Sequence, residues 1–397
     1  YFMVVFRWFL FYRIGIIWVD LCKGLIKLKE ITIMFTKLST LLSSRKIIPF
    51  YEESSSRNFE NISPISAEFH WTSNCNYDCI HCSYGSRRKT TNYLDDNIIK
   101  NLIHDLIEMK CQAVYLSGGG EPTVVKKWGE YSNQLILNGI EVALITNGIA
   151  VQEKHINTIQ KMNYMAISVY STKEERYKEI TESRFFDKQF SLPKKIKNDT
   201  STVVIGARCV INKINYDELY DIYCAAIEAE FDYIIFIPAV DYEGRGIVLE
   251  KSWIDLVKID IKKNIDKFDH ERTNVKALLN KSVSHYSTDR YLDDIKNSKN
   301  ECHALKIGSG VFFNYDAGVY LCQPDIGNKE LEIGNLNNDR FIDIWNSPRH
   351  KEVVNLLNKR WSNGGCKNCR SIAFNKAIDT YKENPVDVHN FNKDCFL

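Results

Sequence analysis

The chain has 397 residues, 44% of them hydrophobic, so it can bury a large core and is neither a disordered tail nor a small disulfide-rich domain. Its 52 basic and 50 acidic residues give a formal net charge of +2, which argues against general attraction to nucleic acid or to an anionic membrane. Twelve cysteines without a recognisable cleavable signal peptide indicate metal ligands or redox chemistry. We therefore expect a cytoplasmic protein.

The first residues carry an apolar run, residues 3–19, that is barely long enough to span a bilayer. Arg7 and Arg13 lie inside it, and an arginine in mid-membrane costs about 2.5–3.5 kcal/mol on insertion scales. We therefore expect an amphipathic or non-native leader, with the natural start near Met34, rather than a membrane helix. This leader is part of an N-terminal extension over residues 1–65.

From Ser66 onward, short β-branched or aromatic runs alternate with longer segments whose apolar residues recur every three or four positions. This alternation predicts an α/β fold with a parallel sheet built from six β/α units. The predicted strands are Ala67–Thr72, Ala113–Ser117, Val142–Thr146, Ala166–Tyr170, Val203–Ile211 and Tyr233–Pro238. The clearest predicted helices are Asp95–Lys110, Gln152–Met162 and Tyr216–Ala229.

The alternating pattern is interrupted in two places. Residues 184–200 contain a proline and a charged run, and we interpret them as a solvated loop before the fifth strand. After Asp241 the periodicity changes, and a second domain is expected beyond a helical connection. Its predicted elements are two hairpin strands and a helix, at Gly310–Asn314, Gly318–Leu321 and Asp339–Lys359. The predicted segments are 66–245 (barrel), 246–300 (connection), 301–375 (second domain) and 376–397 (tail).

Three cysteines, Cys75, Cys79 and Cys82, follow the first predicted strand directly. They lie at the carboxyl end of a strand, where α/β folds place their active sites. A 4Fe-4S cluster is usually held by four thiolates, so three leave one iron open to bind a small molecule. Two alternatives remain at this point, a zinc knuckle that includes His81 and three ordinary buried cysteines.

Further motifs end the next predicted strands. Gly118, Gly119, Gly120 and Glu121 follow the second strand, and a Thr-Asn-Gly sequence around Asn147 ends the third. Glycines allow a backbone to approach a ligand closely, although either motif alone would indicate only a turn. Polar residues also occupy the fourth and fifth strands, where Ser168 shares a face with Tyr170, and Arg208 with Val210 and Asn212. Cys209 then points to the opposite face and is expected to be a buried thiol.

The Cys-x3-Cys-x2-Cys spacing, followed one strand later by Gly-Gly-Gly-Glu, resembles the radical S-adenosylmethionine (SAM) superfamily over about residues 66 to 240. The resemblance implies a partial (β/α)6 radical SAM barrel, with a 4Fe-4S cluster on Cys75, Cys79 and Cys82 whose open iron chelates SAM. It also implies that the glycines and Glu121 bind the SAM amino group, with a similar motif at Asn147. Ser168 is expected at the ribose or carboxylate, and Arg208 at the carboxylate. Phe236–Pro238 are expected to line the adenine pocket.

Four cysteines of the second domain, Cys302, Cys322, Cys366 and Cys369, form a complete ligand set for a zinc ion or a closed 4Fe-4S cluster. Core thiols are the remaining alternative. The arrangement resembles the twitch domain, a short form of the SPASM domain that carries an auxiliary 4Fe-4S cluster. The family's usual glycine, five residues before the second cysteine, is Ala317 here, and we expect Gly318 to make the turn instead. Cys395, near an expected exposed terminus, is a hydrogen-atom donor or a free thiol.

The resemblance implies an enzyme that reductively cleaves SAM to a 5′-deoxyadenosyl radical, which abstracts hydrogen from a substrate. It also implies a reducing partner such as flavodoxin or ferredoxin. Relatives with twitch or SPASM domains mostly modify ribosomally made peptides by crosslinking or epimerisation, and we favour a precursor peptide as the substrate. The alternatives are a small-molecule alcohol dehydrogenase of the aminocyclitol type and, from another class, a non-catalytic iron-sulfur or zinc protein.

Overall fold

The computed structural model describes residues 43–55, 62–85, 91–241, 244–281, 301–366, 369–388, 391 and 394–397. The predicted leader and residues 282–300 of the predicted helical connection lie outside these ranges. Within them, no helix is both long and apolar enough to cross a membrane.

The described residues form one sheet of nine strands in the order β6-β5-β4-β3-β2-β1-β7-β8-β9. Strands β1 to β6 pair in parallel, and β7 also pairs in parallel with β1. Strand β8 is antiparallel to both of its neighbours, β7 and β9. The predicted α/β class and the six parallel strands are therefore confirmed. The strands are β1 Ser66–Phe69, β2 Ala113–Leu116, β3 Glu141–Thr146, β4 Tyr164–Val169, β5 Val204–Ile211, β6 Tyr233–Pro238, β7 Gly310–Phe313, β8 Gly318–Tyr320 and β9 Gly334–Asn335.

Helices cover the outer face of the sheet and its C-terminal extension. They are α1 Ile48–Ser55, α2 Asp96–Glu108, α3 Trp128–Leu137, α4 Ile156–Ile159, α5 Glu174–Thr181, α6 Leu192–Ile196, α7 Leu219–Glu228, α8 Lys251–Lys263, α9 Val275–Asn280, α10 His303–Lys306, α11 Phe341–Trp345, α12 Pro348–Ser362 and α13 Ile372–Glu383.

Helix α2 shows how the sequence produces these elements. Asp95 caps its start by accepting a hydrogen bond from the Asn97 amide at 2.8 Å. Its buried residues include Ile99, Leu102, Ile103 and Leu106, which recur at helical spacing and form one apolar face against the sheet. The helix ends before Lys110, which adopts a left-handed backbone conformation with φ of 58°.

Two of the predicted helices differ from the structure. The helix expected at Gln152–Met162 is reduced to a 3-10 turn at Glu153–His155 and the short α4. The helix expected near Asp339–Lys359 is two helices, α11 and α12, because Pro348 starts a new helix with Ser347 as its cap.

The segment 184–200 is not merely a solvated loop. It contains α6, whose Leu192 and Ile196 are buried in the main core. Gln189 is only 1% exposed, and its side chain bonds to backbone groups at the end of β4. The segment therefore supports the carboxyl end of the fourth strand.

The predicted C-terminal hairpin is confirmed, but it does not stand apart from the barrel. Strand β7 pairs in parallel with β1, and β7 and β8 form the hairpin. The carboxylate of the fully buried Asp105 on α2 binds the Arg340 guanidinium and the Phe341 amide of α11. The second predicted domain thus continues the barrel sheet and is tied to its outer helices. The boundaries at residues 245 and 301 stay predictions.

The amino ends of the strands are closed by the last described residues. Phe396 is 6% exposed, and its ring lies 5.1 Å from Tyr115 and 5.3 Å from Tyr164, centroid to centroid. The Asp394 carboxylate pairs with Lys46 at 3.1 Å, with both side chains largely buried. The barrel lumen is therefore closed at the amino ends of the strands, and the predicted site residues lie toward their carboxyl ends.

Candidate active site and cluster ligands

A cavity of about 960 Å³ extends from the barrel lumen to the C-terminal extension. Its wall contains predicted SAM-binding residues and cysteines of both predicted cluster sites. The structure thus brings together groups that are far apart in the sequence. The site residues on this wall are Cys75, Cys79, Cys82, Gly118, Gly120, Glu121, Asn147, Ser168, Arg208, Cys322, Cys366 and Cys369.

The three cysteines of the first site lie on the loop after β1, as predicted. Cys79 is buried, Cys75 and Cys82 are half-buried, and a turn is closed by a hydrogen bond from the Cys82 amide to the Cys79 carbonyl at 3.1 Å. All three thiols pack in one cluster with Tyr77 and Tyr170. They therefore share an apolar pocket that opens on the cavity.

The glycine motif is fitted against this cysteine loop. A methyl group on Gly120 would lie 2.0 Å from the Asn74 carbonyl oxygen, and one on Gly119 would lie 2.5 Å from the Thr72 oxygen. Backbone hydrogen bonds from Gly120 to Thr72 (2.7 Å) and from Glu121 to Asn74 (2.8 Å) hold the two loops together. The close contact between these two loops therefore requires glycine at both positions, whether or not a ligand is bound.

The Glu121 carboxylate is buried and accepts hydrogen bonds from protein donors. These donors are the Thr123 amide (3.1 Å) and hydroxyl (2.5 Å), the Thr146 hydroxyl, and the Asn147 amide (2.8 Å). Burial raises the pKa of this carboxyl group, and the hydrogen bonds from Thr123, Thr146 and Asn147 oppose the rise. Glu121 therefore joins the ends of β2 and β3. Thr146 belongs to the Thr-Asn-Gly motif noted in the sequence, but sequence reasoning gave neither threonine a role.

Asn147 connects the end of β3 to the cysteine loop. Its side-chain amide donates a hydrogen bond to the Asn76 side-chain oxygen at 2.7 Å, and its own oxygen accepts from the Ile149 amide at 3.1 Å. Asn76 lies next to Cys75, and sequence reasoning gave it no role. Its position inside the cysteine motif is the signal that could have identified it.

Ser168 and Arg208 are neighbours in the lumen, since they are register partners across β4 and β5. Both are half-buried and line the cavity. The Arg208 guanidinium makes no hydrogen bond or ion pair with any residue in the described ranges. It is therefore a cation facing the cavity, as its predicted role at a carboxylate requires. Phe236 and Ile237 also line the cavity, whereas Pro238 does not.

Two other cysteine predictions have different outcomes. Cys209 is 1% exposed in the main core, away from the cavity wall, so its prediction as a buried thiol is confirmed. Cys395 is half-buried rather than exposed, and its thiol donates to the Gln112 side-chain oxygen at 3.3 Å, at the amino end of β2. It therefore lies at the opposite end of the strands from Cys75, Cys79 and Cys82.

The four C-terminal cysteines come from three parts of the chain. Cys302 precedes α10, Cys322 follows β8, and Cys366 and Cys369 follow α12. Burial and the neighbouring Cys302 raise the pKa of Cys322 well above its usual value, and burial and Cys302 raise that of Cys369 to about 12. The Asn375 amide donates to the Cys302 sulfur at 3.4 Å. Cys302, Cys366 and Cys369 also pack in one apolar cluster.

The turn before Cys322 differs from its prediction. Ala317 adopts a left-handed conformation with φ of 66°, while Gly318 lies within β8. The chain therefore keeps the backbone shape for which the family uses glycine, with an alanine in that place. The expectation that Gly318 makes the turn is wrong.

Among the described residues, three or more metal-ligating atoms lie within 4.8 Å of one another only at His104, Asp105 and Glu108. Asp105 is already bound by Arg340, so that group is a structural ion pair.

Comparison with known proteins identifies the family. The family model of the radical SAM superfamily matches residues 70–223, and that of the SPASM iron-sulfur cluster-binding domain matches residues 302–370. The chain belongs to the radical SAM superfamily. Its members' 4Fe-4S and SAM cofactors are therefore those of this enzyme, and the residues described above fit them. The cysteine loop faces the cavity with three thiols, and the Arg208 guanidinium lies on the same cavity wall.

Relatives and solved structures agree with this assignment. The mycofactocin maturase MftC of Mycolicibacterium smegmatis is 23% identical over 309 residues, which are 77% of this chain and 75% of the relative. SuiB of Streptococcus suis bound to the precursor peptide SuiA has a TM-score of 0.55 at 14% identity, covering 85% of this chain and 77% of SuiB. The protein anSMEcpe with bound AdoMet and the Cp18Cys peptide has a TM-score of 0.53 at 14% identity, covering 79% and 88%. At these identities, the solved structures show a shared fold.

Proposed function

We propose that this radical SAM enzyme modifies a ribosomally made precursor peptide by crosslinking or epimerisation. The observation that carries the proposal is the shared cavity, because cysteines of both predicted cluster sites lie on its wall. A substrate held between them would be within reach of both redox centres. The maturase name of the relative MftC, and the precursor peptide in the SuiB structure, support a peptide as that substrate.

The residues of the chain have separate roles in this proposal. Cys75, Cys79 and Cys82 would hold the catalytic cluster, while Ser168 and Arg208 would bind the SAM ribose or carboxylate. The motif Gly118–Glu121 would meet the amino group. When bound, the cofactors supply a 5′-deoxyadenosyl radical that removes hydrogen from the substrate, and an auxiliary cluster that accepts an electron.

The auxiliary cluster would be held by Cys302, Cys322, Cys366 and Cys369. Redox chemistry is the reason to prefer iron to zinc there, since zinc does not accept an electron. A crosslinked peptide has lost two hydrogen atoms, one transferred to the deoxyadenosyl carbon and the other leaving as a proton and an electron. The electrons that reduce SAM would come from a partner such as flavodoxin or ferredoxin.

The shape of the cavity also bears on the substrate. Phe396 closes the amino end of the barrel, so a peptide cannot thread through the lumen from that side. The substrate would have to enter between the barrel and the C-terminal cysteines. A peptide bound there would present one side chain or one α-carbon to the part of the cavity that Ser168 and Arg208 line.

Mass spectrometry of an anaerobic reaction tests the proposal. The reconstituted protein is incubated with SAM, dithionite and short peptides encoded beside its gene, in ordinary and in heavy water. A peptide that has lost two hydrogen atoms has been crosslinked. A peptide in which one deuterium from heavy water has replaced one hydrogen atom has been epimerised. The Cys75/Cys79/Cys82 triple alanine variant is the control. Turnover of an aminocyclitol alcohol with no change in any peptide would overturn the proposal.

A further inference from the structure

Tyr170, directly after β4, is held at a fixed position on the cavity wall. Its backbone amide donates to the Gln189 side-chain oxygen at 3.1 Å, and its carbonyl accepts from the Asn215 side-chain amide at 2.8 Å. Gln189 and Asn215 are both essentially fully buried. Two clamped backbone groups fix the direction of the ring.

The Tyr170 hydroxyl reaches the cluster ligands. Its oxygen lies 3.6 Å from the Cys79 sulfur, within the range of hydrogen bonds to sulfur. Tyr170 is 5% exposed and Cys79 is 8% exposed, so water has little access to this contact. The ring also lies 5.7 Å from the ring of His81, next to Cys82.

The direction of this hydrogen bond depends on the state of the sulfur. A free Cys79 thiol donates to the tyrosine oxygen. An iron-bound thiolate carries no proton and can only accept, so the Tyr170 hydroxyl becomes the donor. Hydrogen bonds to the ligand sulfurs stabilise the more negative, reduced form of an iron-sulfur cluster and raise its reduction potential.

We propose that Tyr170 is a positioning residue that donates a hydrogen bond to the Cys79 sulfur and makes the catalytic cluster easier to reduce. The inference rests on the proposed ligand role of Cys79. It extends that role, because Tyr170, 91 positions from Cys79 in the sequence, would then help to set the reduction potential of the cluster.

Tyr177 offers a matched control. Its ring packs in the same cluster as Cys79 and Tyr170, but its hydroxyl bonds to the Tyr77 hydroxyl instead of a cysteine sulfur. A Tyr177→Phe variant therefore removes a nearby phenol hydroxyl without removing the donor to Cys79.

The test is a redox titration of the full-length reconstituted enzyme, followed by electron paramagnetic resonance. Addition of SAM identifies the catalytic cluster, because only its open iron binds SAM. Tyr170→Phe is expected to shift the midpoint potential of that signal to a more negative value, and Tyr177→Phe to leave it at the wild-type value. An unchanged potential in Tyr170→Phe, or an equal shift in both variants, would overturn the inference.

A second variant covers the case in which Tyr170→Phe fails to bind iron. Tyr170→His retains a ring with a hydrogen-bond donor, and it is expected to keep the cluster at a potential closer to wild type. Loss of the cluster in Tyr170→His as well would show a packing role and overturn the inference. A wild-type enzyme without a SAM-responsive signal would instead overturn the proposed function itself.

Discussion

At the scale of single residues, Glu121 and Arg208 are two predicted SAM ligands with opposite surroundings. Glu121 is buried and fully engaged with Thr123, Thr146 and Asn147, whereas Arg208 faces the cavity with no ionic partner among the described residues. Buried carboxylates with satisfied hydrogen bonds support structure, while a guanidinium on a cavity wall that makes no hydrogen bond is available to a ligand. The two residues should therefore respond differently to substitution.

Glu121→Ala leaves buried donors of Thr123, Thr146 and Asn147 without an acceptor. An unsatisfied buried group costs about 1–3 kcal/mol, so we expect the free energy of unfolding to fall by roughly 3 kcal/mol, together with the SAM affinity. Urea denaturation and calorimetry measure these two quantities. Glu108→Ala, on the exposed side of α2, is the control. A Glu121→Ala variant as stable as wild type would contradict the hydrogen-bond assignment.

Arg208→Ala is expected to weaken SAM binding without lowering stability. A hydrogen bond to a charged group contributes about 1.5–3 kcal/mol, which corresponds to a roughly 10- to 100-fold higher Kd. Calorimetric titration with SAM measures the change, and the exposed Arg184→Ala is the matched control. Equal affinity in the wild type and Arg208→Ala would remove Arg208 from the SAM site.

At the scale of elements, the catalytic end of the barrel is a set of loops packed on one another. The loop after β2 rests on the loop after β1 at Gly119 and Gly120, and Asn147 after β3 bonds to Asn76. Tyr170 after β4 reaches Cys79. The geometry of the cysteines thus depends on three neighbouring strand ends.

Gly120→Ala tests this loop contact. The new methyl group would overlap the Asn74 backbone, and overpacking of this kind costs about 1–3 kcal/mol. We expect lower stability and impaired cluster binding, measured by denaturation and by the iron content of the catalytic site. Gly310→Ala is the control, since its methyl group would approach no atom closer than 3.5 Å. Equal effects of the two substitutions would argue against a specific contact.

At the scale of the whole molecule, the barrel and the C-terminal extension form one sheet around one cavity. Strand β7 pairs with β1, and Asp105 binds Arg340 across the outer layer. This continuity holds Cys322 and Cys366 on the same wall as Cys75. The proposed crosslinking, an oxidation of the substrate in two one-electron steps, would use two cluster sites held in a fixed relation.

The iron content of the anaerobically reconstituted protein tests the two-site arrangement. We expect about eight irons per chain, since each 4Fe-4S cluster holds four. The Cys75/Cys79/Cys82 triple alanine variant should retain about four irons and form no 5′-deoxyadenosine. Zinc at the C-terminal site, or only about four irons in the wild type, would reduce that site to a structural role. Undiminished 5′-deoxyadenosine formation in the triple variant would contradict the first site.

The sequence by itself determined the ligand motifs and the six parallel strands of this protein. Cys75, Cys79 and Cys82 lie within one short loop, and strand and helix periodicities are local, so both can be recognised in a short window. Only the tertiary structure decided that β7 pairs with β1, that Phe396 closes the amino end of the barrel lumen, and that Tyr170 contacts Cys79. These contacts join distant segments, and they depend on strand order and on packing that no local pattern encodes.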